Sequence, residues 1–415
     1  MKNAGKKTIL VVADTLDVEK SSGAKGRVAL INSLLRAGYR LKVYHYSRKE
    51  VGIEGVETIA IKEKHTSIWY ILAKIQLLFT RVTNIAVNKY IEGVLGFSLT
   101  YYYDVASIKA AIRKEQPADY DMILALSYAI SYRSNKAIIE SGRWQGKLVS
   151  YIHDPYPYQN FPRPYDEINP GLRQKHRFFK SIVKQSRSLI YPSQLLSEWM
   201  ASYYPGATGK SYIIPHQLPA IKDLPPPPKY FQSSRFNLVH AGSLMAARNP
   251  TTLLNAFVDL LSNNQEFAAC AHIHILGSGN FHKNHIDKIA SEHSQINHIS
   301  SKVDFHTVLS LQRAADVHII LEARSSISPF LPGKVAHAVW GNNKMLLLGP
   351  YYSEVRQVLG TDYKYWSEND DESKIKALLL DLFEEWKINK SLELNLPQID
   401  HYFSIDYFKK IMDKV

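Results

Sequence analysis

One cysteine, Cys270 in the apolar run CAHIHIL, is all the chain has. That excludes an internal disulfide framework and a cysteine-based zinc cluster, and it fits a reducing cytoplasm. Long apolar runs are missing too. The most membrane-like stretch, residues 68–87, is interrupted by Lys74, Gln76, Arg81 and Asn84, so it falls short of the roughly 20 apolar residues that a spanning helix needs. At the amino end, MKNAGKKTILVVAD has too short an apolar core for a signal peptide and reads as a first strand. No H-E-x-x-H occurs and no metal site is expected; no G-x-G-x-x-G follows either first strand, which disfavours a dinucleotide oxidoreductase. No repeat of the solenoid kind is present. Acidic residues are short: 38 against 51 lysines and arginines, a net charge of +13. Such an excess attracts nucleotide phosphates, nucleic acid or anionic headgroups. The basic residues are scattered rather than gathered with aromatics, which argues against nucleic acid.

What is present is a repeated alternation of strand and helix. At 415 residues, two domains of about 200 each are the first expectation. A buried-strand run at residues 8–12 leads into a loop with Ser21, Ser22, Gly23 and Gly26, then a helix through Leu30, Leu34 and Leu35 ended by Gly38, then the strand LKVYHY. Further strands are expected at MILALS, KLVSYIH and SLIYPS, with residues 68–112 as helical decoration. A second alternation begins with FNLVHAGSL and continues through HIHILG and VHIILE. Between them lies LPPPPKY, residues 224–230, whose prolines form a semi-rigid extended spacer. The expected division is residues 1–222, 223–398 and a last amphipathic helix, 399–415, on which Phe403, Tyr407, Phe408 and Ile411 line an apolar face. Short strands alternating with helices imply α/β domains with parallel sheets.

In such sheets ligands bind beyond the carboxyl ends of the strands, so the loops there carry the candidates. Gly23 and Gly26 offer backbone N–H groups near a helix start, although a plain turn explains them as well. Gly242, Ser243 and Arg248 precede the helix opened by Thr251, an arrangement suited to a diphosphate. Gly277 and Gly279 follow the next strand and allow close approach to the backbone. LEARSSISPFLPGKVAHAV supplies Glu322 as an acceptor for ribose hydroxyls, N–H groups near Gly333, and Lys334 as a point charge for phosphate. His153 and Asp154 directly follow KLVSYI and suit sugar hydroxyls; an Asp-Pro turn with a satisfied histidine is the competing reading. Ser193 reads as a helix N-cap. Asp119 and Asp121 form a D-x-D at the entrance of a strand, the wrong end for a ligand, and read as a turn and cap.

These passages resemble a glycosyltransferase of the GT-B fold, closest in style to family 4, over nearly the whole chain. HAGSLMAARNPTTLLNAF is similar to the start of that family's donor domain, with Gly242 and Arg248 on matching positions. IHDPYP resembles its acceptor-side His-Asp, and SPFLPGKVAHAVWGNNKMLLLGPYYSEV its donor loop and helix, followed by a strand and a loop carrying Glu354. One departure stands out: the family has two glutamates eight positions apart here, and alignment through Pro332 puts His337 at the second, ribose-binding position and Pro329 at the first. The resemblance implies two Rossmann-like domains facing a cleft, with His153 and Asp154 as catalytic residues. It implies a retaining transfer without metal or cofactor from a UDP- or GDP-linked sugar to a polysaccharide or lipid-linked glycan. It also implies a carboxyl-terminal helix returning to the first domain. A nucleotide-sugar epimerase or phosphorylase, or a binding protein without turnover, remain alternatives. The expected setting is cytoplasmic. Residues 68–81 are able to attach it peripherally to an anionic membrane surface, because Ile68, Trp69, Ile71, Leu72, Ile75, Leu78 and Phe79 share a helix face with Lys74 and Arg81 beside them. A helix buried in the core is the competing reading.

Overall fold

A computed structural model describes residues 7–127, 131–157, 170–221, 223–277 and 281–415. Gly279 and the later part of the passage after Asp154 lie outside the described residues. The chain divides into two compact units, residues 1–215 with 405–415, and residues 216–404.

In the first unit the order is β1 (Thr8–Ala13), α1 (Ser22–Arg36), β2 (Arg40–His45), β3 (Glu57–Ala60), α2 (Ile68–Thr83), α3 (Asn88–Leu95), α4 (Leu99–Ile112), β4 (Met122–Leu126), α5 (Arg133–Ser141), β5 (Leu148–Tyr151), α6 (Leu172–Gln185), β6 (Ser188–Tyr191), α7 (Gln194–Tyr203) and β7 (Ser211–Ile213). The sheet runs β3-β2-β1-β4-β5-β6-β7 and every pairing is parallel. Helices cover both faces of such a sheet, so its strands are apolar on both sides: Ile9, Val11 and Leu124 belong to one core, Leu10, Val12 and Ile123 to another. Asp121 accepts a hydrogen bond from the Thr8 amide at 2.7 Å, tying the entrance of β4 to β1. Ser193 caps α7 through the Leu196 amide.

The second unit follows as β8 (Phe236–Ala241), α8 (Thr251–Asn263), α9 (Gln265–Cys270), β9 (Ala271–Leu276), α10 (Lys283–Glu292), β10 (Ile296–Ile299), α11 (Phe305–Ala314), β11 (Val317–Leu321), β12 (Ile327–Ser328), α12 (Gly333–Gly341), β13 (Lys344–Leu348), β14 (Tyr352–Ser353), α13 (Glu354–Leu359), β15 (Trp366–Ser367), α14 (Glu372–Ile388) and α15 (Pro397–Tyr402). Its sheet has the order β10-β9-β8-β11-β13-β15, again parallel throughout, with a small β12-β14 pair beside it. Phe236, Phe257, Phe267 and Phe383 fill the core on one face.

Three sequence expectations need correction. Ser21 caps α1 and the helix already starts at Ser22, so Gly23 and Gly26 lie in its first turns and not in a loop. The proline stretch is not a free spacer: Ser310 donates to the Pro225 carbonyl at 2.6 Å and Phe231 is buried among Val239, Leu276 and Leu311. The unit boundary therefore falls earlier, at 215/216. The tail also divides. Ile399 and Phe403 bury in the second unit with Val335 and Leu347, whereas α16 (Ile405–Met412) sends Phe408, Met412 and Val415 into the first.

The last turn is further held by Tyr39, whose hydroxyl donates to Asp413 at 2.6 Å, and by Arg187 Nε, which donates to the Val415 carbonyl at 2.9 Å. Phe408→Ala is expected to destabilise the first unit by about 3–5 kcal/mol, while exposed Lys410→Ala changes it by about 0.5 kcal/mol or less. Urea unfolding read by hydrogen exchange in β1 checks this, and equal effects of the two substitutions would remove α16 from the core.

Candidate functional site

Each unit gathers polar groups just beyond the carboxyl ends of its strands. In the first, Asp14 follows β1 directly and is fully buried. Its Oδ1 pairs with Arg133 Nε and its Oδ2 accepts from Ser131 at 2.8 Å. Arg133 opens α5 and also reaches Asp104 of α4 at 2.5 Å, and Tyr46 donates to the same carboxylate at 2.9 Å. Burial raises the Asp104 pKa, and the Arg133 and Arg48 charges and the Tyr46 hydrogen bond oppose that rise. Arg27, on α1, is buried too, donating from Nε to the Thr15 carbonyl at 2.8 Å and from NH1 to the Ser127 carbonyl at 2.9 Å. Tyr132 aims Arg133 from a left-handed backbone conformation, φ 45°, which a tyrosine adopts only where its surroundings enforce it.

His153 and Asp154 follow β5 at this edge, with Nε2 3.4 Å from Asp154 Oδ2. Burial holds the His153 pKa below its ordinary value, Arg27 adds to that, and Asp154 and Asp14 oppose it. A neutral imidazole, able to accept a hydroxyl proton, is the favoured form. Sequence reading found His153 and Asp154 but missed Asp14, Arg27, Asp104 and Arg133. Asp14 was within reach of the strand-end argument, since it terminates VVAD; Arg133 was not, because its partners lie far off in sequence.

In the second unit, Gly242, Ser243, Gly277 and Lys334 come together. Gly242 leaves β8 at φ 141°, a conformation that favours glycine. Gly277 leaves β9 so close to it that a Cβ would stand 2.5 Å from the Gly242 carbonyl oxygen, which only hydrogen tolerates. Lys334, in the first turn of α12 behind Gly333, places Nζ 3.4 Å from His240 Nε2. His240 Nδ1 donates to the Ile319 carbonyl at 3.2 Å, leaving Nε2 as the acceptor. Burial lowers the Lys334 pKa to about 7, helped by Arg248 and opposed by Glu322. The same two cations and burial hold His240 well below its usual value. The Arg324 amide donates to the Ala247 carbonyl at 2.9 Å, fastening the loop after β11 to the one carrying Arg248.

Glu322 differs from the open acceptor expected. It is 3% exposed, and its two oxygens accept from Ser328 at 2.6 Å and Ser353 at 2.5 Å. Burial raises its pKa to about 7, against the pull of both hydroxyls and of Arg248 and Lys334. The carboxylate braces the loop that delivers Lys334. His337 departs likewise: Nδ1 lies 2.9 Å from Gln312 Oε1 on α11, and its ring sits by Phe305, 6.0 Å between centroids. Glu354 is buried at the start of α13. Among the described residues, no group of three or more His, Cys, Asp and Glu side chains is placed to hold a metal ion.

No protein-family model matches the sequence, and no curated protein matches it. Solved structures do. The chain is similar to a glycosyltransferase from Rickettsia africae ESF-5, with 12% identity, TM-score 0.60 and coverage of 99% of this chain and 97% of that one. It is also similar to an alpha,alpha-trehalose-phosphate synthase (UDP-forming) from Burkholderia xenovorans, in complex with glucose-6-phosphate, at 12% identity, TM-score 0.61 and coverage of 98% and 99%. TarM matches at 9% identity and TM-score 0.62 over 100% of this chain and 99% of that one. The fold is that of the GT-B glycosyltransferases.

The two shifted groups make stability depend on pH in opposite senses. Between pH 4.5 and about 7 the folded chain keeps the Glu322 proton that the unfolded chain releases, so stability falls as pH rises. Between about 7 and 10.5 the unfolded chain holds the Lys334 proton that the folded chain has lost, so stability rises. Glu322→Gln is expected to remove the first slope, worth about 1 to 3 kcal/mol. Melting temperature against pH measures it, and parallel curves for wild type and variant would refute the assignment.

Proposed function

We propose that the chain is a glycosyltransferase whose second unit holds the diphosphate of a nucleotide-sugar donor. One observation carries the reading: Lys334 and Arg248 come within electrostatic reach of each other at the carboxyl edge of the second sheet, and the Glu322 carboxyl beside them is committed to two serines. The two like charges repel, and a bound diphosphate would relieve that repulsion. Lys334 has part of its charge stripped by burial, and a diphosphate restores it. The missing side chain of Gly242 lets the Lys334 amine come close to the backbone there, and the amino end of α12 adds its dipole.

In the transfer, the bond between the anomeric carbon and the donor's diphosphate oxygen breaks while an acceptor hydroxyl oxygen bonds to that carbon and passes its proton to the departing diphosphate. Charge grows on the departing diphosphate, and preorganised cations stabilise it most where it grows. On this reading His153, neutral and beside Asp154, binds a sugar hydroxyl from the first unit, held by the Asp14–Arg133 framework. The acceptor class is a polysaccharide or lipid-linked glycan, and UDP or GDP the donor nucleotide, with retained configuration.

Calorimetry with UDP and GDP tests the donor site. Arg248→Ala and Lys334→Ala are each expected to weaken the bound nucleotide by roughly tenfold or more, the loss of one charge-assisted contact. Wild-type affinity should fall as pH rises above about 7, where Lys334 loses its proton, and this slope should vanish in Lys334→Ala. Unchanged affinity in both variants would move the donor elsewhere.

His153→Ala separates transfer from binding: turnover of nucleotide sugar into glycosylated product should drop by about 10²-fold or more with nucleotide affinity kept. Wild-type turnover in that variant rules the role out. Product analysis that finds only an epimerised donor or a sugar phosphate assigns the site to other chemistry.

A further inference from the structure

The helix α2 is inside out. A helix docked on a soluble domain turns its large apolar residues to the core and its small and polar ones to water. Here the inward stripe is Trp69, Ala73, Gln76 and Thr80, spaced by four, three and four residues, with Tyr70 beside it against Tyr103 of α4. Ala73 and Gln76 are its only buried members, and Trp69 stacks on Tyr102 at 4.6 Å. The outward side carries Ile68, Ile75, Leu78 and Val82, exposed by 60%, 58%, 62% and 73%. The following α3 has no buried residue and adds Tyr90 and Val94, also exposed. The apolar surface continues through Ile85, so it spans two helices and their connection.

Charge selects the occupant. Across this segment the sequence holds Lys64, Lys74, Arg81 and Lys89, while its flanking acids are paired within the first unit, Glu63 with Arg48 and Glu92 of α3 with Lys175. Lys74 and Arg81 are themselves exposed among the apolar side chains. Their long aliphatic stems can lie along that surface while the charges reach outward. An apolar face of mainly aliphatic side chains flanked by an excess of cations matches the boundary of an anionic bilayer, where acyl chains lie beneath negative headgroups. No described helix is long and apolar enough to cross a membrane, and α2, at 16 residues, fits lying in the plane.

We infer that α2 and α3 form a membrane-surface anchor that seats the first unit on anionic lipid, with Ile75, Leu78 and Val82 entering the acyl boundary and Lys74 and Arg81 meeting headgroups. The inference is independent of the donor-site reading. If both hold, the acceptor is lipid-linked, because the first unit then works at the plane where such acceptors lie.

Flotation of the full chain with vesicles of phosphatidylcholine containing phosphatidylglycerol tests it, with pure phosphatidylcholine vesicles alongside. The wild type should float with the anionic vesicles at low salt, less with the neutral ones, and less again as salt screens the cations. Ile75→Glu with Leu78→Glu should cut flotation by roughly tenfold or more, while melting temperature and UDP affinity stay at wild-type values because both side chains are exposed. No flotation with anionic vesicles, or equal flotation of the double variant, overturns the anchor. So does a wild-type dimer in solution that the same variant splits, with no vesicle binding, since that result gives the face to a second copy of the chain. Loss of UDP binding in Lys334→Ala, or its retention, leaves this outcome untouched.

Discussion

Parallel pairing is the constraint from which the rest follows. Every strand of both large sheets runs the same way as its neighbours, so each connection must cross a face, and each face is covered by the helices that do so. The strands then have no wet side and read as continuous apolar runs such as TILVVA and VHIIL. Polar chemistry is driven to the ends. Asp14 follows β1, His153 follows β5, Gly242 follows β8, Gly277 follows β9 and Glu322 follows β11. Within each unit one edge thus collects groups from distant parts of the sequence.

The two edges solve the burial of charge differently. In the first unit Arg133 lies between Asp14 and Asp104, with Tyr46 and Ser131 taking further lone pairs, so the network is internally satisfied and stiff. Breaking such a set leaves an uncompensated buried charge, and it holds its neighbours in place for that reason. The second unit sets like charges near one another. Its carboxylate is pinned by hydroxyls, its two cations repel each other, and both effects are visible in the opposed shifts of Glu322 and Lys334. One unit thus holds a rigid, mutually paired frame, and the other holds two like charges close enough to shift each other's titration.

Sequence reading recovered what periodicity and strand ends encode: the parallel α/β character, the glycines of β8 and β9, and Lys334 at a helix start. It lost what depends on side-chain direction. Nothing local tells that the carboxyl of Glu322 folds under its own loop toward Ser328, six residues on, and Ser353, further still. Nothing local tells that His337 turns to Gln312. The proline stretch has the composition of a linker, and only the fit of Phe231 into the core beside β8 makes it part of a unit. The face of α2 was legible as apolar, yet its direction was set by α4, whose aromatics accept Trp69 and Tyr70 and leave the aliphatic side out.

Glu322 shows how a site changes when a carboxylate is withdrawn from it. Its main-chain carbonyl accepts from Asn369 at 2.8 Å, its side chain is pressed by Gly349, where a Cβ would stand 2.4 Å from Oε2, and its oxygens hold the end of β12 and the cap of α13. The segment from Glu322 to Pro332 is therefore tied at its base, and that tie fixes where α12 begins and where Lys334 points. When ionised, the Glu322 carboxylate beneath the loop also offsets part of the repulsion between Lys334 and Arg248, with its oxygens held by the two serines. With His337 engaged on α11 as well, the edge presents the amino end of a helix, two close-packed glycines and two cations. On the proposed reading, that set suits a charged group ahead of a hydroxyl.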